Sequence, residues 1–175
     1  MSTLKVGQPA PDFRGEAYVS GDFKEVGLKD YHGKWVCLFF YPLDFTFVCP
    51  TELRGFAEME PKFKELGCQV VACSTDSKFS HKAWFEKDLP TVKYPVLADN
   101  AHRISRDYGV LIEETGFALR GTFLIDPKGV LQYSAVNALG VGRSVEEVVR
   151  ILQALQSGEL CPLDWKPGKP TIKTK

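Results

Sequence analysis

Apolar side chains recur along this chain with two different periods, and their alternation outlines the elements of an α/β protein. The run Trp35-Val36-Cys37-Leu38-Phe39-Phe40-Tyr41 is short, aromatic-rich and bounded by Gly33 and Pro42, which predicts a buried strand. Further on the spacing changes: Leu53, Phe56, Ala57, Phe63 and Leu66 share one face of a helix. Pro61 falls inside that pattern. It removes a helical N–H bond, so a kink or break is expected there. Residues 69–74 predict a second strand, and a helical stretch follows from Asp76 or Ser77 through Ala83, Trp84 and Phe85. Residues 94–98 read as a short extended piece, after which Asp99 is placed to cap a helix ending near Gly109. The runs 121–126 and 131–136 flank Asp126-Pro127-Lys128-Gly129, a hairpin turn in which Pro sets φ and Gly closes the loop. The last helix opens at Ser144 with Glu147 three residues on, a capping box, and presents Val145, Val148, Val149, Leu152 and Leu155 on one face.

A strand–helix–strand start followed by a hairpin and a final helix predicts an α/β fold, a central mixed β-sheet flanked by helices. There are no internal repeats and no low-complexity linker. One domain over residues 1–165 is expected, followed by a polar, Pro-containing tail over 166–175 that should be flexible.

Composition narrows the function classes. The 22 acidic and 22 basic residues balance, so no field steers a polyanion, and nucleic-acid binding has no support. No stretch approaches the length of apolar chain that spans a membrane. Residues 1–5 lack the apolar core of a signal peptide, and a cytoplasmic setting is the expectation. Five cysteines, an odd number, suggest catalytic or incidental thiols rather than a disulfide scaffold. Cys37 and Cys73 lie within apolar runs and Cys68 stands just before one, so all three read as structural. His32, His81 and His102 do not stand in metal-ligand spacing with cysteines, and no metal or cofactor is expected. Gly140-x-Gly142 lacks the third glycine of a dinucleotide turn, and there is no Cys-x-x-Cys.

Cys49 is different. It leaves the apolar run and enters the first turn of the helix, where unpaired N–H groups and the positive dipole end favour thiolate over thiol. The thiolate is the nucleophile. On spacing alone the alternative, an inert buried cysteine, stays open.

Pro42, Thr46 and Cys49 stand as Pro-x-x-x-Thr-x-x-Cys, within Phe39-Phe40-Tyr41-Pro42-Leu43-Asp44-Phe45-Thr46-Phe47-Val48-Cys49-Pro50-Thr51-Glu52. This string resembles the active-site motif of the peroxiredoxins, in their typical 2-Cys branch. The likeness extends to Leu119-Arg120-Gly121-Thr122-Phe123-Leu124-Ile125-Asp126 and Gly158-Glu159-Leu160-Cys161-Pro162, and is nearest to the bacterial alkyl hydroperoxide reductase C type. It covers the chain from about Gly7 to Gly168.

The resemblance implies a thioredoxin-like fold and a thiol peroxidase acting on hydrogen peroxide and organic hydroperoxides. Cys49 would attack peroxide, Thr46 would place its hydroxyl by the sulfur, Arg120 would stabilise the thiolate, and Pro42 would shield it from water. Glu52 and Arg143 would support Arg120. On the residues alone Thr46 equally reads as a helix N-cap, Arg120 as a solvated strand-edge residue, and Glu52 with Arg143 as a surface ion pair. The resemblance further implies that Cys161 of a second subunit resolves the oxidised Cys49 as an intersubunit disulfide. A homodimer, a ring of dimers, and an outside thioredoxin-like or flavoprotein-linked dithiol reductant follow from it, with thiols alone doing the chemistry.

Two departures stand out. The segment Asp88-Leu89-Pro90-Thr91-Val92-Lys93-Tyr94-Pro95 lacks the Gly-Gly-Leu-Gly insertion of oxidation-sensitive relatives, and their C-terminal Tyr-Phe helix has no counterpart here. Fast disulfide formation and resistance to overoxidation are the expectation. A holdase chaperone and a peroxide sensor that relays oxidation are the rival readings.

Overall fold

In chain order the strands are β1 (Arg14–Val19), β2 (Asp22–Gly27), β3 (Trp35–Phe40), β4 (Cys68–Ser74), β5 (Val96–Ala98), β6 (Leu111–Ile112), β7 (Phe117–Ala118), β8 (Arg120–Ile125) and β9 (Leu131–Asn137). The helices are α1 (Cys49–Glu65), α2 (Lys78–Asp88), α3 (Arg103–Asp107) and α4 (Val145–Ser157). The computed structural model describes residues 4–174; the leader reading on residues 1–5 falls partly outside that range, and Lys175 of the tail wholly so. Two units divide the chain, one through Arg143 and one from Ser144 onward.

In the first unit seven strands pair in the order β2-β1-β5-β4-β3-β8-β9, with a separate β6–β7 hairpin. β3, β4 and β5 run parallel, and every other neighbouring pair is antiparallel. The expected mixed sheet flanked by helices is therefore present. β3 sits inside it because its side chains are apolar on both faces, as a covered strand requires. On one face Phe39 stacks on Phe56 of α1, ring centroids 4.0 Å apart. On the other, Phe40 packs edge-on against Phe123 and tilted against Tyr108, in a core that includes Ile104 of α3. Among the described residues no helix is long and apolar enough to cross a membrane.

Two local expectations are corrected. Of the kink or break expected at Pro61, the break is absent: α1 runs from Cys49 to Glu65 as one helix. Phe56 and Phe63, on either side of the proline, are both buried and stack at 6.0 Å, so packing holds together a helix with one missing N–H bond. Asp99 is not the N-cap residue of the following helix, which is only five residues long and starts after His102, at φ 56°. A turn carries Asp99 beneath the helix start instead, and its carboxylate accepts from the N–H groups of Ile104 (3.1 Å) and Ser105 (2.7 Å). The capping chemistry is retained from an earlier position.

The β1–β2 and β6–β7 hairpins carried no clear periodicity. Ser20-Gly21, both at positive φ, close the first as a two-residue turn of the kind that matches strand twist. The expected turn at 126–129 forms, with Gly129 at φ 81° and its N–H donating to the Asp126 carbonyl at 2.9 Å.

In the second unit, Ser144 caps α4 by accepting the Glu147 N–H at 3.2 Å, and Gly158 ends the helix at φ 66°. Residues 166–174 carry hydrogen bonds of their own: Trp165 Nε1 donates to the Lys169 carbonyl at 3.0 Å, and Ile172 N to that of Leu160 at 2.8 Å.

Gly121, beside Arg120 on β8, has no room for a side chain. A Cβ there would lie 2.7 Å from Val110 Cγ1 and 2.8 Å from Phe123 Cε2, and both neighbours are buried. Overpacking of this kind costs roughly 1–3 kcal/mol. Gly121→Ala is expected to lower stability by that amount in urea unfolding; an unchanged midpoint would show that the sheet relaxes around the methyl group.

Candidate active site

The site is assembled where three chain connections meet the sheet. β3 ends at Phe40, and Tyr41 is tied to β4 by a 3.0 Å bond from its N–H to the Cys73 carbonyl. The loop that follows carries Pro42, which is buried, and Thr46, which is half-buried, before α1 begins at Cys49. Val48 is the N-cap and offers no side-chain acceptor, so the first-turn N–H groups keep their partial positive charge beside the thiol. Thr46 is therefore not the cap. Its hydroxyl donates to the Leu43 carbonyl at 2.8 Å, which commits the hydrogen and leaves the oxygen lone pairs as acceptors.

Cys49 is 1% exposed. Its sulfur receives Nη1–H of Arg120 at 3.4 Å. Arg120 is 3% exposed rather than solvated: the same Nη1 donates to Glu52 Oε2 at 2.6 Å and its Nε to the Leu139 carbonyl at 2.8 Å. Glu52 lies one turn beyond Cys49 on α1, so the carboxylate reaches the guanidinium that reaches the sulfur. Arg143 closes the other side of Glu52. Its Nε and backbone N donate to Oε1 at 2.8 and 2.9 Å, its Nη2 to Oε2 at 2.9 Å, and its Nη1 to the carbonyls of Phe40 and Gly121 at 2.8 Å each. The Arg143 guanidinium also covers the Phe39 ring, 4.9 Å from its centroid. One carboxylate held by two guanidinium groups leaves a net positive charge in a water-poor site, next to a sulfur atom. That arrangement sets a guanidinium N–H against the sulfur.

Pro42, Thr46, Cys49, Glu52, Arg120 and Arg143 thus all belong to the first unit. Cys161 belongs to the second. It is half-buried, with its sulfur 3.4 Å from Ser157 Oγ and 3.8 Å from the Ala154 carbonyl. The other three thiols are enclosed in the sheet. Burial pushes the Cys37 thiol up to about 12, against a smaller downward pull from Arg143, and raises Cys68 and Cys73 further. Among the described residues no group of three His, Cys, Asp or Glu side chains could hold a metal ion. The sequence did not point to the Leu139 carbonyl that anchors Arg120, nor to buried Asp44 and His81 beside the loop; only the polar types of the latter two, near apolar runs, were visible.

A thioredoxin-like sheet with an arginine-held thiol at a helix start defines the class of thiol-dependent peroxidases. Comparison with known proteins agrees. Residues 6–134 match the AhpC/TSA family. The chain is 54% identical to peroxiredoxin tpx1 of Schizosaccharomyces pombe, over 99% of this chain and 95% of that protein. It superposes on the reduced 2-Cys peroxiredoxin of Plasmodium vivax with a TM-score of 0.94 at 40% identity, covering 98% of this chain and 94% of that one. For Enterococcus faecalis AhpC the TM-score is 0.86 at 41% identity, covering 90% and 98%. The chain belongs to the AhpC/TSA family of peroxiredoxins and is a thiol-dependent peroxidase.

Two outcomes test this geometry. Glu52→Ala leaves two buried guanidinium groups without their shared anion, and breaking such a group costs about 3–5 kcal/mol. Urea unfolding of the variant should show a loss of that order. With Cys37 raised to about 12, its thiolate appears only as pH climbs toward that value. Iodoacetamide at pH 8 should leave Cys37, Cys68 and Cys73 unmodified in the folded protein and label all three after denaturation. Labelling of any of them in the folded state would mean that the sheet opens.

Proposed function

We propose that Cys49 is the peroxidatic thiol and that Cys161 of a second copy resolves it. The contact that carries this reading is Arg120 Nη1 at 3.4 Å from Cys49 Sγ inside a buried site. In the first step the Cys49 thiolate attacks one oxygen of a peroxide R–O–O–H, where R is hydrogen or a small organic group. An S–O bond forms, the O–O bond breaks, and Cys49 becomes a sulfenic acid. The departing oxygen takes a proton and leaves as water or an alcohol. Arg120 stabilises the thiolate and then the charge developing on the oxygens, and Glu52 with Arg143 keeps it in place. Thr46 accepts the O–H of the incoming peroxide, and Pro42 keeps water from the sulfur.

In the second step the partner subunit's Cys161 attacks the sulfenic sulfur, expelling water and leaving a Cys49–Cys161 disulfide. An external dithiol protein returns both thiols and is itself oxidised to a disulfide. A reducing, cytoplasmic compartment suits this cycle. Two surfaces favour assembly from copies of this chain. β9 is an edge strand seven residues long, a template for pairing with its own copy. Phe45, Phe47 (94% exposed) and Phe79 form large exposed apolar side chains around the catalytic loop and α2, which suits a ring of dimers. The segment 88–95, short for want of a Gly-Gly-Leu-Gly insertion, supports a likeness to the bacterial alkyl hydroperoxide reductase C type and favours fast resolution over overoxidation.

Non-reducing gels after one equivalent of hydrogen peroxide, with Cys49→Ser and Cys161→Ser beside the parent, test the cycle. A dimer band that requires both cysteines is expected, and mass spectrometry should find little sulfinic Cys49 when a dithiol reductant turns the enzyme over. A dimer band surviving Cys161→Ser would move resolution to another thiol, and sulfinic Cys49 building up at low peroxide would refute the resistance to overoxidation.

A further inference from the structure

The loop that carries Pro42 and Thr46 is fastened by a buried polar network in which the chemistry above has no part. Asp44 lies at its centre, 4% exposed. Its carboxylate accepts from Tyr41 Oη at 2.7 Å and Ser80 Oγ at 2.7 Å, and meets His81 Nδ1 at 2.8 Å. Its backbone N–H donates to Asp76 Oδ2 at 2.9 Å, an oxygen that also accepts the Ser74 hydroxyl at 2.7 Å. His81 is fully buried, and its Nε2 faces the Leu97 carbonyl at 3.2 Å. A carbonyl only accepts, so Nε2 carries its hydrogen. Nδ1 lies 2.8 Å from Asp44 Oδ2, a hydrogen bond that gives both buried groups a partner.

The surroundings are aromatic: Phe85 lies edge-on to the His81 ring at 6.0 Å, and Trp84 lies 6.5 Å from Tyr41. In such a place apolar side chains of similar volume stabilise a fold at least as well as a buried ionisable pair. What the pair adds is direction. Through Asp44 it ties the loop to the end of β3, to α2, to the β4–α2 connection and to β5. Asp44 stands two residues before Thr46 and five before Cys49, and the backbone between is tightly turned, with Phe45 at φ 56°.

Building on the peroxidase reading above, we propose that His81 is a positioning residue for the Cys49 reaction: its Nδ1–H···Asp44 contact clamps the loop so that Pro42 and Thr46 stand correctly for the incoming peroxide. His81 does not touch substrate; it acts through Asp44.

The test uses the two amides that each imitate one half of the ring. In the full-length chain with Cys161→Ser, which isolates the oxidation step, His81→Asn keeps a donor near the Nδ1 position. His81→Gln keeps one near Nε2 and leaves Asp44 without its partner. The second-order rate of Cys49 oxidation is read by competition with a haem peroxidase for limiting hydrogen peroxide, and thermal unfolding is measured alongside. His81→Asn should stay within about threefold of the parent, while His81→Gln should slow oxidation by about tenfold or more, the scale expected when a reacting group is misplaced. A folded His81→Gln protein oxidised as fast as the parent would overturn the proposal. So would His81→Asn falling as far as His81→Gln, because the loss would then not follow the donor to Asp44. Ser80→Ala removes one donor from Asp44 at a half-buried position, and decides the matter if His81→Gln does not fold: slower oxidation supports the clamp, an unchanged rate overturns it. A parent that fails to compete for peroxide at all would instead bring down the peroxidase reading of Cys49, on which the clamp rests.

Discussion

Everything at the reactive end of the sheet is organised around one buried carboxylate. Glu52 reaches from the first turn of α1 to two guanidinium groups, Arg120 from β8 and Arg143 from the segment after β9. The three charges are costly to bury, and they are tolerated because they are paired with one another and with backbone carbonyls. Arg143 is shared among Glu52 and the carbonyls of Phe40 and Gly121, and Arg120 between Glu52 and Leu139, so the ends of β3 and β8 and the loop after β9 are drawn together. Among the described residues no buried side-chain nitrogen or oxygen lacks a partner. The sulfur of Cys49 lies 3.4 Å from Arg120 Nη1 in this assembly.

On the reading proposed above, enclosure would suit the first step and oppose the second. A 1% exposed thiol is guarded from bulk water and from large oxidants, while a small peroxide can be held against Arg120. The same burial prevents another cysteine from reaching Cys49 unless the first turn of α1 opens. That turn is weakly held: its N-cap, Val48, supplies no capping side chain, and Cys49 and Pro50 begin the helix. Capping of this kind is worth about 1 kcal/mol, and its absence lowers the cost of local unwinding at the position where movement is needed.

The remaining thiols mark the same logic from the other side. Cys37 lies on β3 within reach of the charge of Arg143, yet burial outweighs it and holds the thiol protonated. Being near a guanidinium is not enough. Cys49 differs in having the Arg120 N–H aimed at its sulfur and the open end of a helix behind it.

Much of this was legible in the sequence because it is local. The apolar run of β3, the change to helical spacing after Cys49, the Asp126–Gly129 turn and the Ser144 cap each depend on residues a few positions apart, and each is present. The motif around Cys49, with Arg120 opening an apolar strand, was enough to draw attention to side chains that the fold brings together. Periodicity could not decide whether Arg120 was solvated or buried, or whether Glu52 and Arg143 met at the surface. Those contacts join residues 68 to 91 positions apart, and they exist only once β3 and β8 lie side by side. Pro61 kept its helix for a similar reason, since Phe56 and Phe63 are buried together across it. The clamp of Asp44 and His81, 37 positions apart, left no trace in either period. Local spacing determined which elements form and which thiol stands at a helix start. Tertiary packing decided which charges are buried, because a charge in a low-dielectric interior interacts far more strongly with its neighbours than one in water.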